Sequence, residues 1–323
     1  MKLALLLLLP FAALAQVTVR EYPVPAGHGI HDVWADRAPD GPVWFSAQAS
    51  GHLGILDPKT GKVEFVALAD GRNASSAPHG VIAAADGAPW LTDGGQNAIV
   101  RVEPKTRAVK RWRLPAESGY ANLNTATFDG RGVLWFTGQS GVYGRLDPAS
   151  GELRLFDAPK ANGPYGIAAT PQGIVYFASL AGSYIARVDS QSGRATLIEP
   201  PTPRQGARRV WSDSRGNLFV AEWNAGNISR YEPGDGKTAG KWTTWKAPGP
   251  APRVYAVYVD ETDKVWASEW SAQVMLRLDP ASGKFETFRS SSANANVRQI
   301  HGRAGEVWTP ESAADKIVVY RYK

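Results

Sequence analysis

An imperfect repeat of about 44 residues runs through the chain and restricts it to few folds. Its clearest copy is residues 77–102, in which Trp90 begins the segment Trp90-Leu91-Thr92-Asp93. An aromatic residue recurs at that place in every copy: Trp44, Trp90, Trp135, Tyr176, Phe219, Trp266 and Trp308. Units of this length with four short strands are typical of β-propeller blades, which bury their faces by stacking on neighbours. The seven copies predict an all-β, seven-bladed β-propeller with four-stranded blades.

The turns within each copy support this interpretation. The chain contains 33 Gly and 23 Pro, which supply the many corners that short strands require. A turn of the type Asp-Pro-x-Thr/Ser-Gly recurs at residues 57–61, 147–151 and 279–283. Pro fixes φ and Gly takes a positive φ in such turns, so we interpret them as hairpins and not as phosphate-binding loops.

The two ends of the chain indicate how the ring closes. Only one strand, residues 316–322, follows Trp308, so the seventh blade lacks its outer strand. Residues 17–22 match the outer-strand pattern of residues 63–68 and 153–156. We therefore expect the N-terminal strand to complete blade seven, and residues 16–323 to form a single domain.

The first 15 residues differ from the rest. Lys2 precedes an apolar run, residues 3–14, and Ala13-Leu14-Ala15 offers small residues before a cleavage point. This pattern predicts a signal peptide, residues 1–15, removed before Gln16, and hence a periplasmic or secreted protein. A membrane anchor is the alternative, but an apolar run interrupted by Pro10 is shorter than the roughly 20 residues that span a bilayer. No later stretch resembles a membrane span.

Composition excludes several classes of function. Cysteine is absent, which excludes cysteine-based zinc sites and thiol catalysis. The net charge is +6, but basic and acidic residues are interspersed without a basic stripe. We therefore expect no nucleic-acid partner and no membrane span, and we expect a monomer that takes a small-molecule ligand.

Chemistry-bearing residues recur at two places in the repeat. Because strand direction reverses at each hairpin, the start of strand one and the end of strand two share one face of the ring. Eleven residues before each aromatic stand His79, Asn124, Tyr165, Arg208 and Tyr255; small shifts in register add His31 and Arg298. Three residues after it stand Ala47, Asp93, Gly138, Ser179, Glu222, Glu269 and Glu311. We expect the ligand site on this face of the central channel.

The repeated segments resemble those of the streptogramin B lyases, also called virginiamycin B lyases. The resemblance rests on Pro78-His79-Gly80-Val81, on the Trp90 segment, and on the pairs Glu222-Trp223 and Glu269-Trp270. It covers essentially all of the chain after residue 15. It implies a seven-bladed propeller that opens a cyclic depsipeptide by elimination at its ester linkage. Magnesium would hold the substrate, and a histidine would move the proton.

The resemblance assigns roles in two registers. In the direct register, the family's sixth-blade histidine becomes Tyr255, its Glu-Pro-His segment becomes residues 296–298, and its last glutamate is kept as Glu311. In a register shifted round the ring, His31 and His79 take the histidine places and Asp93 the acid, while Ala77 stands where the family has glutamate. The candidate catalytic residues are therefore His79, His31 and Glu311, with Asp93 as the candidate metal ligand and magnesium as the implied ion.

The remaining charged residues allow two interpretations. Arg208, Tyr255, Arg298, Glu222 and Glu269 are candidate substrate-binding residues, because guanidinium groups pair with carboxylates and phosphates. Alternatively, Arg208, Arg209, Arg253 and Arg298 form ion pairs with Glu222, Glu269 and Glu311 along the channel. His301 occupies a strand position without an acid at motif spacing, and no role is predicted for it.

The functional hypothesis is lyase or hydrolase chemistry on an ester-containing or peptide-like small molecule. The alternative is a non-catalytic periplasmic propeller that binds a ligand or serves as a scaffold. A third possibility, a sugar-lactone hydrolase, would require several oxygen ligands around calcium, and the ring offers few on any one side.

Overall fold

The computed structural model describes residues 17–71, 75–160, 162–235 and 239–323. The predicted signal peptide, residues 1–15, lies outside the described residues. Within them, 28 strands form seven four-stranded antiparallel sheets, and the only helical turn is Ala116–Ser118. No helix in this described part is long and apolar enough to cross a membrane. The predicted all-β, seven-bladed propeller is confirmed.

The strands follow the chain blade by blade, starting with β1 (Thr18–Pro23). Blade one contains β2 (Ile30–Ala35), β3 (Val43–Ala47), β4 (His52–Leu56) and β5 (Val63–Ala67). Blade two contains β6 (Pro78–Ala83), β7 (Pro89–Asp93), β8 (Ala98–Val102) and β9 (Val109–Arg113). Blade three contains β10 (Leu123–Phe128), β11 (Leu134–Gly138), β12 (Val142–Leu146) and β13 (Leu153–Asp157). Blade four contains β14 (Pro164–Ala169), β15 (Val175–Ser179), β16 (Tyr184–Val188) and β17 (Ala195–Ile198).

The remaining blades repeat the same order. Blade five contains β18 (Ala207–Ser212), β19 (Leu218–Glu222), β20 (Asn227–Glu232) and β21 (Lys241–Lys246). Blade six contains β22 (Val254–Val259), β23 (Val265–Glu269), β24 (Val274–Asp279) and β25 (Lys284–Arg289). Blade seven contains β26 (His301–Arg303), β27 (Glu306–Glu311) and β28 (Lys316–Arg321), followed by β1. First strands of neighbouring blades contact each other, which places them innermost, around the channel.

The N-terminal strand closes the ring as predicted. β1 pairs antiparallel with β28, with Val19 opposite Tyr320, and so completes blade seven. The ring of Tyr22 stacks on Trp308 at 5.6 Å, and its hydroxyl donates to the carbonyl oxygen of Pro58 at 3.0 Å. The junction between the last and first blades is therefore packed through an apolar cluster of its own.

The core lies between blades and not within them. Seven apolar clusters are found among the described residues, and each joins strands of two adjacent blades. Between blades one and two, for example, Trp44 and Leu53 pack with Leu91 and Val100. Each buried side chain of this size contributes about 1.5–3 kcal/mol. A single blade would leave these faces in water, which explains why the repeat requires its neighbours.

A hydroxyl at the end of strand two fixes the inner strands. Thr92 Oγ1 accepts the N–H of Gly80 at 2.9 Å, where a bulge interrupts the β6–β7 register, and donates to the carbonyl oxygen of Asn124 in the next blade. Ser46 does the same for Asp32 and the carbonyl oxygen of His79. Because a β-bulge places two residues opposite one, two consecutive side chains can face the channel in blades one to six, where this register shift occurs.

Candidate functional site

Seven side chains at the starts of the first strands meet at one end of the channel. They form what we call the mouth ring: His31, His79, Asn124, Tyr165, Arg208, Tyr255 and Arg298. The His31 and His79 rings lie 3.8 Å apart, and Arg298 Nη1 donates to His31 Nε2 at 3.2 Å. The structure thus brings together the two candidate histidines and the arginines and tyrosines of the other blades.

A second layer lies just inside the mouth ring. Arg209 Nη2 is 3.2 Å from both carboxylate oxygens of Asp32, and its Nη1 donates to Thr125 Oγ1. Asp32 also accepts from His31 Nδ1 at 2.7 Å. All of these side chains are buried, so the layer forms a buried polar network across the channel.

The network determines where the protons of His31 lie. A carboxylate can only accept, so His31 Nδ1 carries the hydrogen that Asp32 accepts, and Nε2 is left as the basic nitrogen. Burial, followed by the positive charges of Arg298, Arg209 and Arg208, holds the pKa of His31 well below its usual value. His31 is therefore a neutral base at neutral pH, oriented by Asp32.

His79 has the opposite tautomer. Asn124 Nδ2 donates to His79 Nε2 at 3.3 Å, and its Oδ1 accepts from the Thr125 hydroxyl at 2.7 Å, which fixes the amide orientation. His79 Nδ1 consequently carries the hydrogen and has no partner among the described residues. Burial, and then the neighbouring His31, lowers the pKa of His79 well below its usual value. The ring offers an unused N–H donor.

The arginines of the mouth ring face aromatic rings and no acid. The Arg208 guanidinium lies 3.7 Å from the Tyr255 ring centroid and 4.5 Å from that of Trp223, and its Nε has no partner among the described residues. Arg298 lies 5.5 Å from the Trp270 centroid. Burial opposes ionisation of Tyr255, but the nearby guanidinium groups outweigh it and lower its pKa. This end of the channel is electropositive.

Asp93 lies outside this network. Its oxygens accept from Ser76 Oγ at 2.6 Å, from the Ala77 N–H at 2.9 Å and from Gln96 Nε2 at 2.7 Å. The carboxylate thus holds the loop before β6 against the loop after β7. Its role as a metal ligand remains a prediction, and the structure does not bring it to the two histidines.

The three glutamates that end second strands are turned into their own blades. Glu222 accepts from Asn227 and Ser229 side chains, Glu269 accepts from the backbone N–H groups of Arg253, Ser271 and Ala272, and Glu311 accepts from Ser290. No ion pair joins them to an arginine within the described ranges. The prediction of arginine–glutamate ion pairs along the channel is therefore wrong, because these carboxylates accept from N–H and hydroxyl donors of their own blades instead.

Magnesium fits these residues poorly. One atom each from His31, Asp32 and His79 lie within 4.8 Å of one another, the one such cluster found among the described residues. Magnesium prefers oxygen ligands, and this set supplies one carboxylate and two ring nitrogens. Arg209 already pairs with the carboxylate and Arg298 with a ring nitrogen, so two guanidinium groups oppose a divalent cation here. The direct register offers Tyr255 and Arg298, which are not magnesium ligands, and a single carboxylate, Glu311, which accepts from Ser290.

Sequence reasoning missed Asp32, and it expected an ion pair of Arg209 with a glutamate where the structure pairs it with Asp32. Each follows a mouth-ring residue directly, and the bulge turns both members of the pair toward the channel. The signal was available as a polar or charged residue at the next position, as in His31-Asp32, Asn124-Thr125 and Arg208-Arg209.

Comparison with known proteins places this geometry in context. The sequence profile of the virginiamycin B lyase family matches residues 13–239, which include blades one to four and stop before Tyr255 and Arg298. The solved virginiamycin B lyase from Staphylococcus aureus is 22% identical, with a TM-score of 0.83 over 95% of this chain and 99% of that chain. A catalytically inactive variant of that enzyme with quinupristin gives the same values.

More distant structures share the architecture as well. Hydrazine synthase from Kuenenia stuttgartiensis is 12% identical, with a TM-score of 0.74 over 92% of this chain and 97% of that chain. At these identities the likeness shows the fold alone. A sequence comparison with curated proteins gives no match.

Proposed function

The chain belongs to the virginiamycin B lyase family, and we propose that its mouth ring binds an ester-containing or peptide-like small molecule and opens it by elimination. The observation that carries the proposal is the contact of a neutral, Asp-oriented histidine with an arginine that has no acid partner in the described ranges. Asp32, His31 and Arg298 form this chain at 2.7 and 3.2 Å.

The step requires His31 Nε2 to be released from Arg298, after which it proceeds as follows. His31 Nε2 removes the proton from the carbon next to the substrate carbonyl, and that electron pair forms the new carbon–carbon double bond. The bond from the adjacent carbon to the ester oxygen breaks, and the ester leaves as a carboxylate with its bonding pair. Asp32 holds the Nδ1 hydrogen and stabilises the imidazolium that forms.

Arginine would supply the positive charge in this step. If the substrate carbonyl oxygen accepts the hydrogen bond from Arg298, His31 Nε2 is released to take the proton. The guanidinium then stabilises the negative charge of the developing enolate. Arg208, stacked on Tyr255, offers a second guanidinium, and His79 Nδ1 offers an N–H donor. Glu222, Glu269 and Glu311 have no role in this mechanism, since their carboxylates accept hydrogen bonds within their own blades.

Binding without catalysis is the second candidate. It is favoured by the low exposure of His31, 3%, and by the hydrogen bond that already occupies its basic nitrogen. On this alternative the arginines would hold an anionic ligand and the histidines would only complete the wall.

Incubation with quinupristin, in EDTA and separately in magnesium, tests the proposal, with mass spectrometry to detect a linear product. We expect product in both conditions, loss of product in His31→Ala, and a reduced rate in Arg298→Lys. Arg289→Gln, an exposed arginine on the outer strand β25, is the matched control. Binding without product would favour the second candidate; product only with magnesium would contradict the role of arginine.

We also propose export, on the basis of the apolar run at residues 3–14 and the small residues before Gln16. Expression with the full N terminus, cell fractionation and intact-mass analysis should give an exported protein that begins at Gln16. A cytoplasmic protein of full mass would contradict this.

A further inference from the structure

The end of the channel opposite the mouth ring is lined by aromatic side chains. We call this group the aromatic mouth: Trp34, Trp211, Tyr258 and His301. The Trp34 and His301 rings are stacked at 3.6 Å, and Trp211 lies 5.2 Å from Tyr258 and 5.5 Å from His301. The Asp32–Arg209 pair lies two residues earlier on β2 and β18, so it separates this end from the mouth ring.

Three adjoining depressions open at the aromatic mouth. Their volumes are about 990, 380 and 290 Å³, and Trp34 and Arg37 line all three. Trp112 and Phe128 extend the aromatic wall of the largest. Concave, largely aromatic sites of this size with a few polar groups are the usual form of small-molecule sites.

The cation at this site, Arg37, lies on a hairpin whose backbone is fixed, and it is not neutralised by an acid among the described residues. Arg37 is exposed and has no acid partner among the described residues. Its hairpin is fixed from behind by Arg303, whose Nη1 donates to the carbonyl oxygens of Asp36, Ala38 and Gly41 at 3.2, 3.1 and 2.9 Å. Arg37 is thus presented to the cavity on a constrained loop.

A buried donor lines the same cavity. The N–H of Ala35 donates to His301 Nδ1 at 3.1 Å, so that nitrogen is an acceptor. Burial, and then Arg37 and Arg303, lowers the pKa of His301 to about 3, so the ring is neutral and Nε2 carries the hydrogen. His301 is 5% exposed, and Nε2 has no hydrogen-bond partner among the described residues. The wall of the cavity therefore offers an N–H donor to which a ligand acceptor can bind.

The acids that line the largest depression are already engaged. Asp86 pairs with Arg101 at 3.0 Å, and Asp129 accepts from Trp135 Nε1 at 3.0 Å and from two backbone N–H groups. Lys110, in contrast, lies over the Trp112 ring at 4.5 Å without an acid partner in the described part of the chain. Asp36 also lines this depression and accepts the N–H of Ala38 at 2.8 Å, so three acids stand there against three cations. The smallest depression, in contrast, has Arg37 and Arg303 among its lining residues and no acid, so its lining is positively charged.

We propose that the aromatic mouth is a second ligand site, for a planar aromatic carboxylate. The flat ring of the ligand packs on Trp34 and Trp211, and its carboxylate takes the Arg37 guanidinium and the His301 N–H. The site is independent of the lyase chemistry proposed for the mouth ring, because the buried Asp32–Arg209 pair lies between them.

Isothermal titration calorimetry with 1-naphthoate tests the site, with the uncharged 1-naphthylmethanol as the matched ligand. We expect Arg37→Gln to raise the Kd for 1-naphthoate about tenfold, equivalent to about 1.4 kcal/mol, and to leave the Kd for 1-naphthylmethanol unchanged. The control variants Arg289→Gln, on the outer surface, and Arg208→Gln, at the mouth ring, should leave the Kd for 1-naphthoate unchanged. Trp211→Leu should weaken both ligands.

Two results would overturn the proposal. The first is absence of 1-naphthoate binding to the intact protein at millimolar concentration. The second is binding that Arg208→Gln weakens and Arg37→Gln does not, because the ligand would then lie at the mouth ring. Circular dichroism of each variant checks that the fold is retained. The quinupristin assay measures activity at the mouth ring separately.

Discussion

Asp32 and Arg209 form an ion pair across the channel although 177 residues separate them in the chain. Each side chain is 1% exposed, and one guanidinium nitrogen lies 3.2 Å from both carboxylate oxygens. The pair joins blade one to blade five, and its carboxylate accepts the hydrogen bond from His31 Nδ1 that orients the imidazole. It is therefore both a structural contact and the support of the candidate base.

Removal of one partner should be costly. Arg209→Met would leave the Asp32 carboxylate buried with only His31 as a partner, and we expect a loss of about 3–5 kcal/mol in the free energy of unfolding. Urea denaturation measures it. The double variant Arg209→Met/Asp32→Leu removes both charges and should be more stable than the single variant; equal stability of the two would contradict this account.

The hydroxyl of Thr92 should contribute measurably to the contact between blades. Thr92→Val removes the acceptor for the Gly80 N–H and the donor to the Asn124 carbonyl, both buried. We expect a loss of about 1–3 kcal/mol, because two polar groups would be left without partners. Thr287→Val, on the exposed outer strand β25, is the matched control and should change stability little. Similar effects in the two variants would indicate that the hydroxyl is not structural.

Stability should fall between pH 6.5 and 5. Burial lowers the pKa values of His31, His79 and His301 in the folded state, whereas the unfolded chain titrates near 6.5. The unfolded state therefore binds more protons as the pH falls, and the stability present above pH 6.5 is lost below it. Each histidine should remove about 1.4 kcal/mol per pH unit well below its unfolded pKa. Denaturant titrations at several pH values measure this, and His301→Asn should reduce the slope. A flat profile would contradict it.

The rate of any elimination should not fall at the pH where an ordinary histidine base becomes protonated, near 6.5. Because the pKa of His31 is held well below its ordinary value, the imidazole stays basic as the pH falls, and activity should persist below pH 6.5. Asp32→Asn should lower kcat and leave KM near its original value, since Asp32 does not face the substrate in the proposed mechanism. A pH–rate profile of the intact protein checks the first point. A loss of activity centred near pH 6.5 would exclude His31 as the base.

The architecture was predictable because each blade is one copy of a sequence repeat. The spacing from Trp44 to Trp308 gives the blade count, and residues 17–22 match an outer strand, so the closure by β1 follows from the pattern alone. The face of the ring was also predictable, since His31, His79 and Arg298 occupy equivalent places in the repeat and meet in space.

The site's partners were less accessible from the sequence. Glu222, Glu269 and Glu311 occupy the same place in the repeat as Asp93. The direction of such a side chain depends on which hydrogen-bond donors lie nearby, and here the donors are in the loops and not in the channel. Asp32 was overlooked because alternation along a strand sends neighbouring residues to opposite faces, and a bulge reverses that rule. The aromatic mouth lies at the far ends of the same strands, where the repeat has no shared residue type.

The pairing of β1 with β28 also bears on how the molecule assembles. Every other strand finds its partners within its own blade, but Thr18 must find Arg321 at the other end of the chain. Contacts of such large sequence separation form late, because the closing entropy must first be offset by the rest of the structure. We therefore expect β1 to be incorporated late, and until then blade seven has an open edge to which a second molecule could add a strand. The stack of Tyr22 on Trp308 thus helps to keep this edge covered.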